Sequence, residues 1–185
     1  MLEVRSLAIP DVKVIRPDRF SDVRGYFCET FQRSAFAEKG ILHDFVQDNQ
    51  SSSDRGGTIR GLHFQRPPFA QAKLIRVLSG AILDVVVDLR RSSSTFGKHV
   101  AVTLDSDAGE QLFVPKGFAH GFCTLQPKTV VFYKVDQVYA PSHDGGVYWA
   151  DPALEIEWPV TAADAQVSAK DKSLPKFDQL NPVFE

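Results

Sequence analysis

Short runs of β-branched and aromatic residues recur along this chain, separated by glycine, proline and polar clusters. Runs with this spacing are typical of a sandwich or barrel rather than of alternating strands and helices. The predicted strands are Val12–Ile15, Gly25–Phe31, Phe45–Asn49, Thr58–Phe64, Lys73–Leu89 with a break at Ser79-Gly80, Val100–Thr103, Gln111–Val114, Gly121–Leu125 and Val130–Val138. The pattern therefore predicts an all-β architecture of about ten strands, closed or nearly closed.

The clearest local feature is a predicted hairpin whose two arms meet at Ser79-Gly80. Glycine supplies the positive φ that such tight turns need. The second arm, Ile82–Leu89, is apolar except for Asp84 and Asp88, so both of its faces are expected to be covered. Ser51–Gly57 is polar and predicts a flexible loop.

Helix is expected only at the periphery. One helical segment is predicted over Ser34–Lys39, ended by Gly40, and a short one at Ser168–Asp171, which fits a capping box. The proline-containing segment from Asp151 to the end, residues 151–185, is expected to wrap the barrel surface. A chain of 185 residues fits a single domain.

The net charge and the number of cysteines limit the binding partners and the cellular compartment that are expected. The net charge is −2, so no basic field would recruit nucleic acid or an anionic membrane surface. Only Cys28 and Cys123 are present, which gives no disulfide framework and suits a reducing cytosol. No signal peptide and no bilayer-spanning stretch is recognisable, so a cytoplasmic protein is expected.

A proline–glycine turn stands just before a histidine in the stretch Gly109–His120. Pro115 fixes its own φ and Gly117 allows φ > 0, so the chain can reverse there and aim His120 inward from the next strand. The spacing G-x5-P-x-G-x2-H resembles the second conserved motif of the cupin superfamily, small β-barrels with a site in their mouth.

His63 is the first candidate for chemistry. Strand alternation puts Gly61, His63 and Gln65 on one face of the run Arg60–Gln65, with the other three residues on the opposite face. A histidine here is either a structural, hydrogen-bonded residue or a general base. Metal-binding cupins place a second histidine where Gln65 stands, so His63 and His120 leave too few strong ligands, and no metal is expected.

Lysine and tyrosine candidates follow along the chain. Lys73 is either solvated or, if it faces the barrel interior, a stabiliser of a developing oxyanion. Tyr133 and Tyr139 would share a face of an unbroken strand. A buried tyrosine there is either a packing residue or, through its hydroxyl, a general acid. Several polar groups would suit a diphosphate if one pocket collected them: Arg24, Glu29, Gln47, Asn49 and Arg60.

Six motifs occur in one order along the chain, and together they carry a specific resemblance. They are Arg60-Gly-Leu-His63-Phe-Gln65, Asp84-Val-Val-Val-Asp88-Leu-Arg90, Ser94-Thr-Phe-Gly97, Pro115-Lys-Gly-Phe-Ala-His120-Gly-Phe122, Tyr139-Ala-Pro141 and Ser168-Ala-Lys-Asp171. From Pro10 to Leu174 the sequence resembles the dTDP-4-dehydrorhamnose 3,5-epimerase family, metal-free cupins of rhamnose biosynthesis. The resemblance implies a jelly-roll barrel with a few short peripheral helices, a homodimer and no cofactor.

The family converts dTDP-4-dehydro-6-deoxy-D-glucose to dTDP-4-dehydro-L-rhamnose. The C4 ketone acidifies the hydrogens on both neighbouring carbons, so a base can form an enolate and an acid can return a proton to the opposite face. Repeating this step inverts C3 and C5. The resemblance implies His63 as the base, Asp171 as its carboxylate partner, Tyr133 as the proton donor and Lys73 as the stabiliser of the enolate oxygen.

The resemblance also implies a set of substrate contacts, some of them supplied by the partner subunit. They are Arg24, Glu29, Gln47, Asn49, Arg60, His120, Tyr139, Asp144 and Lys170. Asp144 stands where the family has a glutamate, one methylene longer, so this contact is expected to be lost or bridged by water. Asp171 has a competing role as a helix cap, which one side chain could not easily combine with pairing to His63.

Three alternatives remain open from the sequence. A single-centre epimerase or ketoisomerase on a related dTDP-keto sugar would keep the histidine base. A catalytically silent sugar-nucleotide-binding cupin would lack the base or the acid, and neither is missing. A metal-dependent cupin oxygenase is disfavoured by Gln65.

Overall fold

The computed structural model describes residues 2–185 as two six-stranded sheets, a separate two-stranded hairpin and two short α-helices. The strands are β1 Glu3–Ser6, β2 Lys13–Arg16, β3 Arg19–Asp22, β4 Gly25–Cys28, β5 Gln47–Ser53, β6 Thr58–Gln65, β7 Lys73–Ser79, β8 Ala81–Asp88, β9 His99–Asp105, β10 Gln111–Val114, β11 Phe118–Thr124, β12 Thr129–Val135, β13 Asp144–Gly146 and β14 Gln166–Val167. The helices are α1 Arg33–Glu38 and α2 Ala169–Lys172. The predicted all-β, cupin-type jelly roll is confirmed.

The two large sheets face each other across a shared apolar core. The first sheet has the order β1-β2-β10-β7-β12-β5, and the second has the order β13-β6-β11-β8-β9, with β14 alongside β6. Ile75 and Leu112 of the first sheet pack in one cluster with Val86, Leu104 and Phe122 of the second. This packing holds the sheets together, and polar side chains of the same two sheets line the cavity described below.

The prediction of a hairpin over Lys73–Leu89 is wrong. β7 pairs with β10 and β12 in the first sheet, whereas β8 pairs with β9 and β11 in the second. The tight turn therefore carries the chain from one sheet to the other. Gly80 makes this crossing at φ +81°, and a Cβ there would collide with Thr129.

Among the strand boundaries that differ from the prediction, two bear on the candidate site residues. β5 runs through Ser53, so the predicted polar loop over Ser51–Gly57 begins later, because Ser51–Ser53 pair with the first residues of β12. β12 ends at Val135, so Tyr139 lies beyond it, and the expectation that Tyr133 and Tyr139 share a strand face is wrong.

The C-terminal segment covers the outer face of the second sheet. Leu62, Val85 and Val87 are fully buried, and they pack with apolar residues of the last part of the chain. The contributing residues are Leu154, Ile156, Trp158, Phe177, Leu180, Val183 and Phe184. Both faces of β8 are thus covered, as its continuous apolar run predicted. Nowhere in residues 2–185 is a helix long and apolar enough to cross a membrane.

Candidate active site

A cavity of about 480 Å³ opens between the two sheets and is closed on one side by α2. The predicted site residues that line it are Arg60, His63, Lys73, His120, Tyr133, Lys170 and Asp171. Residues from β6, β7, β11, β12 and α2 thus meet in one place, although they are spread over more than half of the chain.

His63 and Asp171 form the central pair of the cavity. His63 Nε2 lies 2.7 Å from Asp171 Oδ1, and Asp171 Oδ2 accepts the main-chain N–H of Gly61 at 3.2 Å. A carboxylate at this distance holds the proton on Nε2, so Nδ1 is left as the basic nitrogen. Burial raises the pKa of the Asp171 carboxyl, but His63, the Gly61 N–H and the Ser168 side chain outweigh it, and the pKa lies below its usual value.

Asp171 both takes part in the helix cap and pairs with His63, because it uses a different group for each interaction. Its main-chain N–H donates to Ser168 Oγ at 3.0 Å, and Ser168 is the N-cap of α2. Its carboxylate is free for His63 and Gly61. The capping interaction therefore fixes the backbone from which the carboxylate reaches the imidazole.

Arg60 and His63 both line the cavity, so the predicted alternation along this strand is wrong. His120 of β11 lies opposite His63 and Phe122 opposite Arg60, which leaves two residues of β6 facing a single residue of β11. Such a bulge reverses the side-chain alternation. Gly61 has φ +124°, and a Cβ there would stand 2.8 Å from the His120 carbonyl oxygen, so the bulge requires glycine.

Lys73 and Tyr133 face the cavity from neighbouring strands of the first sheet. Lys73 is buried, and its Nζ lies 3.5 Å from the His63 carbonyl oxygen. Burial lowers the pKa of Lys73 to about 8, although Asp84 and Asp144 oppose the shift. Burial also raises the pKa of the half-buried Tyr133, so its hydroxyl stays protonated at neutral pH.

Asp84 was not among the predicted site residues, yet it is hydrogen-bonded to one of them, His120. Its Oδ1 lies 2.7 Å from His120 Nε2, and the residue is fully buried. Its Oδ2 has no hydrogen-bond partner within residues 2–185. The signal in the sequence was the aspartate that interrupts the apolar run of β8, since a buried carboxylate needs a partner.

Three further residues meet at the rim of the cavity. Lys170 forms an ion pair with Asp144, and the Tyr139 hydroxyl donates to the same carboxylate oxygen at 3.3 Å. The hydrogen bond to Asp144 raises the pKa of Lys170. Tyr139 is 53% exposed, and through Asp144 it adjoins Lys170 in the cavity wall.

Gln47 and Asn49 stand beside this rim rather than in the cavity. They lie on the same face of β5 as Ser51, which does line it. Gln47 Nε2 donates to Asn49 Oδ1 at 2.8 Å, and Gln47 Oε1 accepts the main-chain N–H of Tyr139 at 3.0 Å.

The chain does not bring Arg24 and Glu29 to this cavity. Arg24 lies in the turn between β3 and β4, paired with Asp22 at 2.5 Å, and its side chain is 86% exposed. Glu29 follows β4 and lines a different surface pocket with Phe20 and Phe36. Within residues 2–185 no group of three or more His, Cys, Asp or Glu residues is placed to hold a metal ion.

The fold and the cavity define a cupin-type barrel with an acid–base site, in which a carboxylate orients an imidazole close to a buried lysine and a tyrosine. The chain belongs to the dTDP-4-dehydrorhamnose 3,5-epimerase family, whose model matches residues 6–179. The resemblance noted in the sequence is thereby confirmed.

Individual relatives agree with this assignment. A dTDP-4-dehydrorhamnose 3,5-epimerase of Sinorhizobium fredii is 48% identical over 181 residues, covering 98% of this chain and 92% of that protein. A crystal structure of the enzyme from Bacillus anthracis with TDP and PPi bound has a TM-score of 0.92 at 50% identity, over 95% of this chain and 99% of that one. An epimerase from Legionella pneumophila in complex with dTDP-4-keto-L-rhamnose has a TM-score of 0.93 at 38% identity, over 98% and 95% of the two chains.

Proposed function

We propose that this protein is a dTDP-4-dehydrorhamnose 3,5-epimerase, which converts dTDP-4-dehydro-6-deoxy-D-glucose to dTDP-4-dehydro-L-rhamnose without a cofactor. The observation that carries the proposal is the meeting of the His63–Asp171 pair with Lys73 and Tyr133 in one cavity. His63 belongs to the second sheet and Tyr133 to the first, so the proposed base and acid stand on facing walls.

Proton abstraction falls to His63. Its Nδ1 takes a proton from a carbon next to the C4 ketone, and the electron pair of that C–H bond moves onto the ketone oxygen. The Asp171 carboxylate stabilises the imidazolium that forms. The Lys73 ammonium, which is buried in the cavity wall, stabilises the enolate oxygen.

Reprotonation falls to Tyr133. Its hydroxyl is protonated at neutral pH because burial raises its pKa, and it delivers the proton to the face opposite His63. The tyrosinate then regains a proton and the imidazolium loses one, so no net charge is left on the protein. The same sequence at the second carbon completes the inversion of C3 and C5.

The remaining cavity and rim residues are proposed to hold the sugar nucleotide. Arg60 and Lys170 bring positive charge toward the diphosphate, and His120 contacts the sugar. Tyr139, with Gln47 and Asn49 beside it, is proposed to line the mouth. Asp144 contacts Lys170 and Tyr139. Because its side chain is one methylene shorter than the glutamate of the family, a water is proposed to bridge it to the substrate.

A homodimer is proposed to complete the site. The β3–β4 hairpin exposes large apolar side chains, among them Phe20, Tyr26 and Phe27, and it carries Arg24 at its turn. A second copy of the chain would cover these residues and receive Arg24 and Glu29 as nucleotide contacts. The proposed place of action is the cytosol, where dTDP-L-rhamnose would be supplied for surface glycans such as O-antigen.

The test is NMR of dTDP-4-dehydro-6-deoxy-D-glucose incubated with the protein in deuterated water. The proposal expects deuterium at both C3 and C5, with the L-lyxo product trapped by a following reductase. Exchange at one carbon alone would assign the protein to the single-centre epimerases. If neither carbon exchanged, the protein would be a binding protein or would act on a different keto sugar.

A further inference from the structure

Gln65 is buried two residues beyond the proposed base, and every polar atom of its amide is engaged by main chain. Its Nε2 donates to the carbonyl oxygens of Phe69 at 2.7 Å and Val138 at 3.2 Å. Its Oε1 accepts the N–H of Ala140 at 2.7 Å. The side chain therefore ties the end of β6 to two loops that belong to no strand.

Only a primary amide satisfies this arrangement. The three main-chain groups demand two donors and one acceptor, which is what the glutamine amide offers in one orientation. A carboxylate would turn two of these contacts into repulsion between oxygens. A neutral imidazole has one donor and one acceptor, and a hydrocarbon would leave all three main-chain groups without this partner.

The segment that Gln65 holds is the one that carries Tyr139. β12 ends at Val135, so residues 136–140 have no strand to fix them. The carbonyl of Val138 and the N–H of Ala140 bind Gln65 on the second sheet, and the N–H of Tyr139 itself binds Gln47 on the first. Two glutamine amides, one from each sheet, thus clamp three consecutive residues at the cavity mouth.

We infer that Gln65 is a positioning residue, which fixes Val138–Ala140 so that the Tyr139 ring stands at the cavity mouth before a nucleotide arrives. This inference rests on the proposed function, in which Tyr139 contacts the sugar nucleotide. A segment that is already ordered costs less free energy to bind a ligand, so loss of the clamp weakens binding and not the proton transfers.

The test compares Gln65→Glu and Gln65→Leu with the wild-type protein by three measurements. They are the Kd for dTDP, the separate kcat and KM for the keto sugar, and amide hydrogen exchange across residues 137–140. We expect the Kd and KM to rise about tenfold in Gln65→Glu at pH 8, with kcat within about threefold of wild type. Exchange at the Ala140 N–H should accelerate in Gln65→Leu, which removes its acceptor.

The pH dependence separates a positioning role from general damage. A buried glutamate facing two carbonyls has a raised pKa, and once protonated it regains one donor. The ratio of the Gln65→Glu to the wild-type Kd should therefore fall between pH 8 and pH 6. If Gln65→Glu does not fold at pH 8, Gln65→Leu carries the same comparison of Kd and kcat.

Leu104→Ala is the control for lost stability, because Leu104 is buried in the shared core on β9. It should lower the thermal midpoint and leave the Kd for dTDP unchanged. A wild-type Kd in both Gln65 variants, or unchanged exchange over 137–140, would overturn the inference. If the wild-type protein itself did not bind dTDP, the proposed function would fail, and the exchange measurement alone would decide whether Gln65 positions the segment.

Discussion

At the level of single residues, Asp171 makes two interactions, one through its main-chain N–H and one through its carboxylate. The resemblance pointed to Asp171 as the histidine partner, and the local sequence pointed to it as a cap. Sequence could not decide between them, because both interactions draw on one residue. The structure uses the main-chain N–H for the Ser168 cap and the carboxylate for His63.

Replacing the Asp171 carboxylate by an amide tests its electrostatic role. In Asp171→Asn the imidazolium loses its counter-charge, and an amide nitrogen can face Nε2 and favour the wrong tautomer. We expect kcat to fall by at least about 100-fold, with the Kd for dTDP within a few-fold of wild type. Steady-state kinetics and dTDP titration measure the two effects.

Ser168→Ala is the matched control, because it removes only the cap of the same helix. Loss of an N-cap hydroxyl costs about 1 kcal/mol of stability. We expect urea unfolding to show this loss, with a fall in kcat much smaller than that of Asp171→Asn. An equal fall in the two variants would contradict a specific role for the charge of the carboxylate.

Lys73 is predicted to set an alkaline limit on the reaction. Burial lowers its pKa to about 8, so it is charged below that pH and neutral above it. If the ammonium stabilises the enolate, kcat/KM should fall as the pH rises through about 8. Lys73→Met should be about 100-fold less active than wild type below pH 8 and show no such limb, so the difference between the two should shrink above pH 8. A wild-type profile that stays flat to pH 10 would contradict the assignment of Lys73.

At the scale of elements, the sequence predicted most strands and not their partners. Lys73–Ser79 and Ala81–Asp88 are strands, as predicted. Their apolar runs and the Ser-Gly turn between them are equally compatible with a hairpin and with a crossing from one sheet to the other. The choice depends on β9, β10, β11 and β12, which lie later in the chain. The bulge at Gly61 escaped prediction for the same reason, since the close approach of β11 creates it.

The end of β8 is fixed by the buried carboxylate of Asp88. It accepts hydrogen bonds from the Arg90 guanidinium and from the hydroxyls of Ser93 and Thr95. Burial raises the pKa of Asp88, but these donors outweigh it and lower the pKa to about 2. Arg90 also lies over the Phe118 ring at 4.4 Å, so the network supports the turn before His120.

This network predicts a pH-dependent contribution to stability. A carboxyl whose pKa falls from 3.8 to about 2 on folding contributes about 2 kcal/mol above pH 4, which is lost as the pH falls toward 2. Asp88→Asn should therefore be less stable than wild type at pH 6, and the difference should shrink between pH 4 and pH 2. Urea unfolding across this range measures it, and a constant difference would rule out the carboxylate as its source.

At the scale of the whole molecule, one chain gathers the proposed catalytic residues in one cavity and leaves part of the expected binding set outside it. The cavity gathers His63, Lys73, Tyr133 and Asp171, while Arg24 stands in solvent on an exposed hairpin. The residue types were visible in the sequence. The sequence did not show which copy of the chain these residues would serve in the proposed dimer, because an assembly depends on surfaces that form only after folding.

The exposed apolar β3–β4 hairpin allows a direct test of the proposed dimer. Phe27 on β4 is 69% exposed in the single chain, so Phe27→Asp should fold normally. A charge buried at the proposed interface is costly, so we expect dissociation to monomers and a rise of at least about tenfold in the KM for the sugar nucleotide. Sedimentation equilibrium and kinetics measure both. A monomeric wild-type protein, or an unaffected dimer, would contradict the proposed assembly.

In the proposed mechanism the barrel places a base on one wall and an acid on the other. NMR of the keto sugar with Tyr133→Phe in deuterated water separates the two roles. We expect that His63 still removes protons, so deuterium enters the substrate, while the inverted product falls by at least about 100-fold. Inversion at the wild-type rate would contradict it and remove Tyr133 from the reaction.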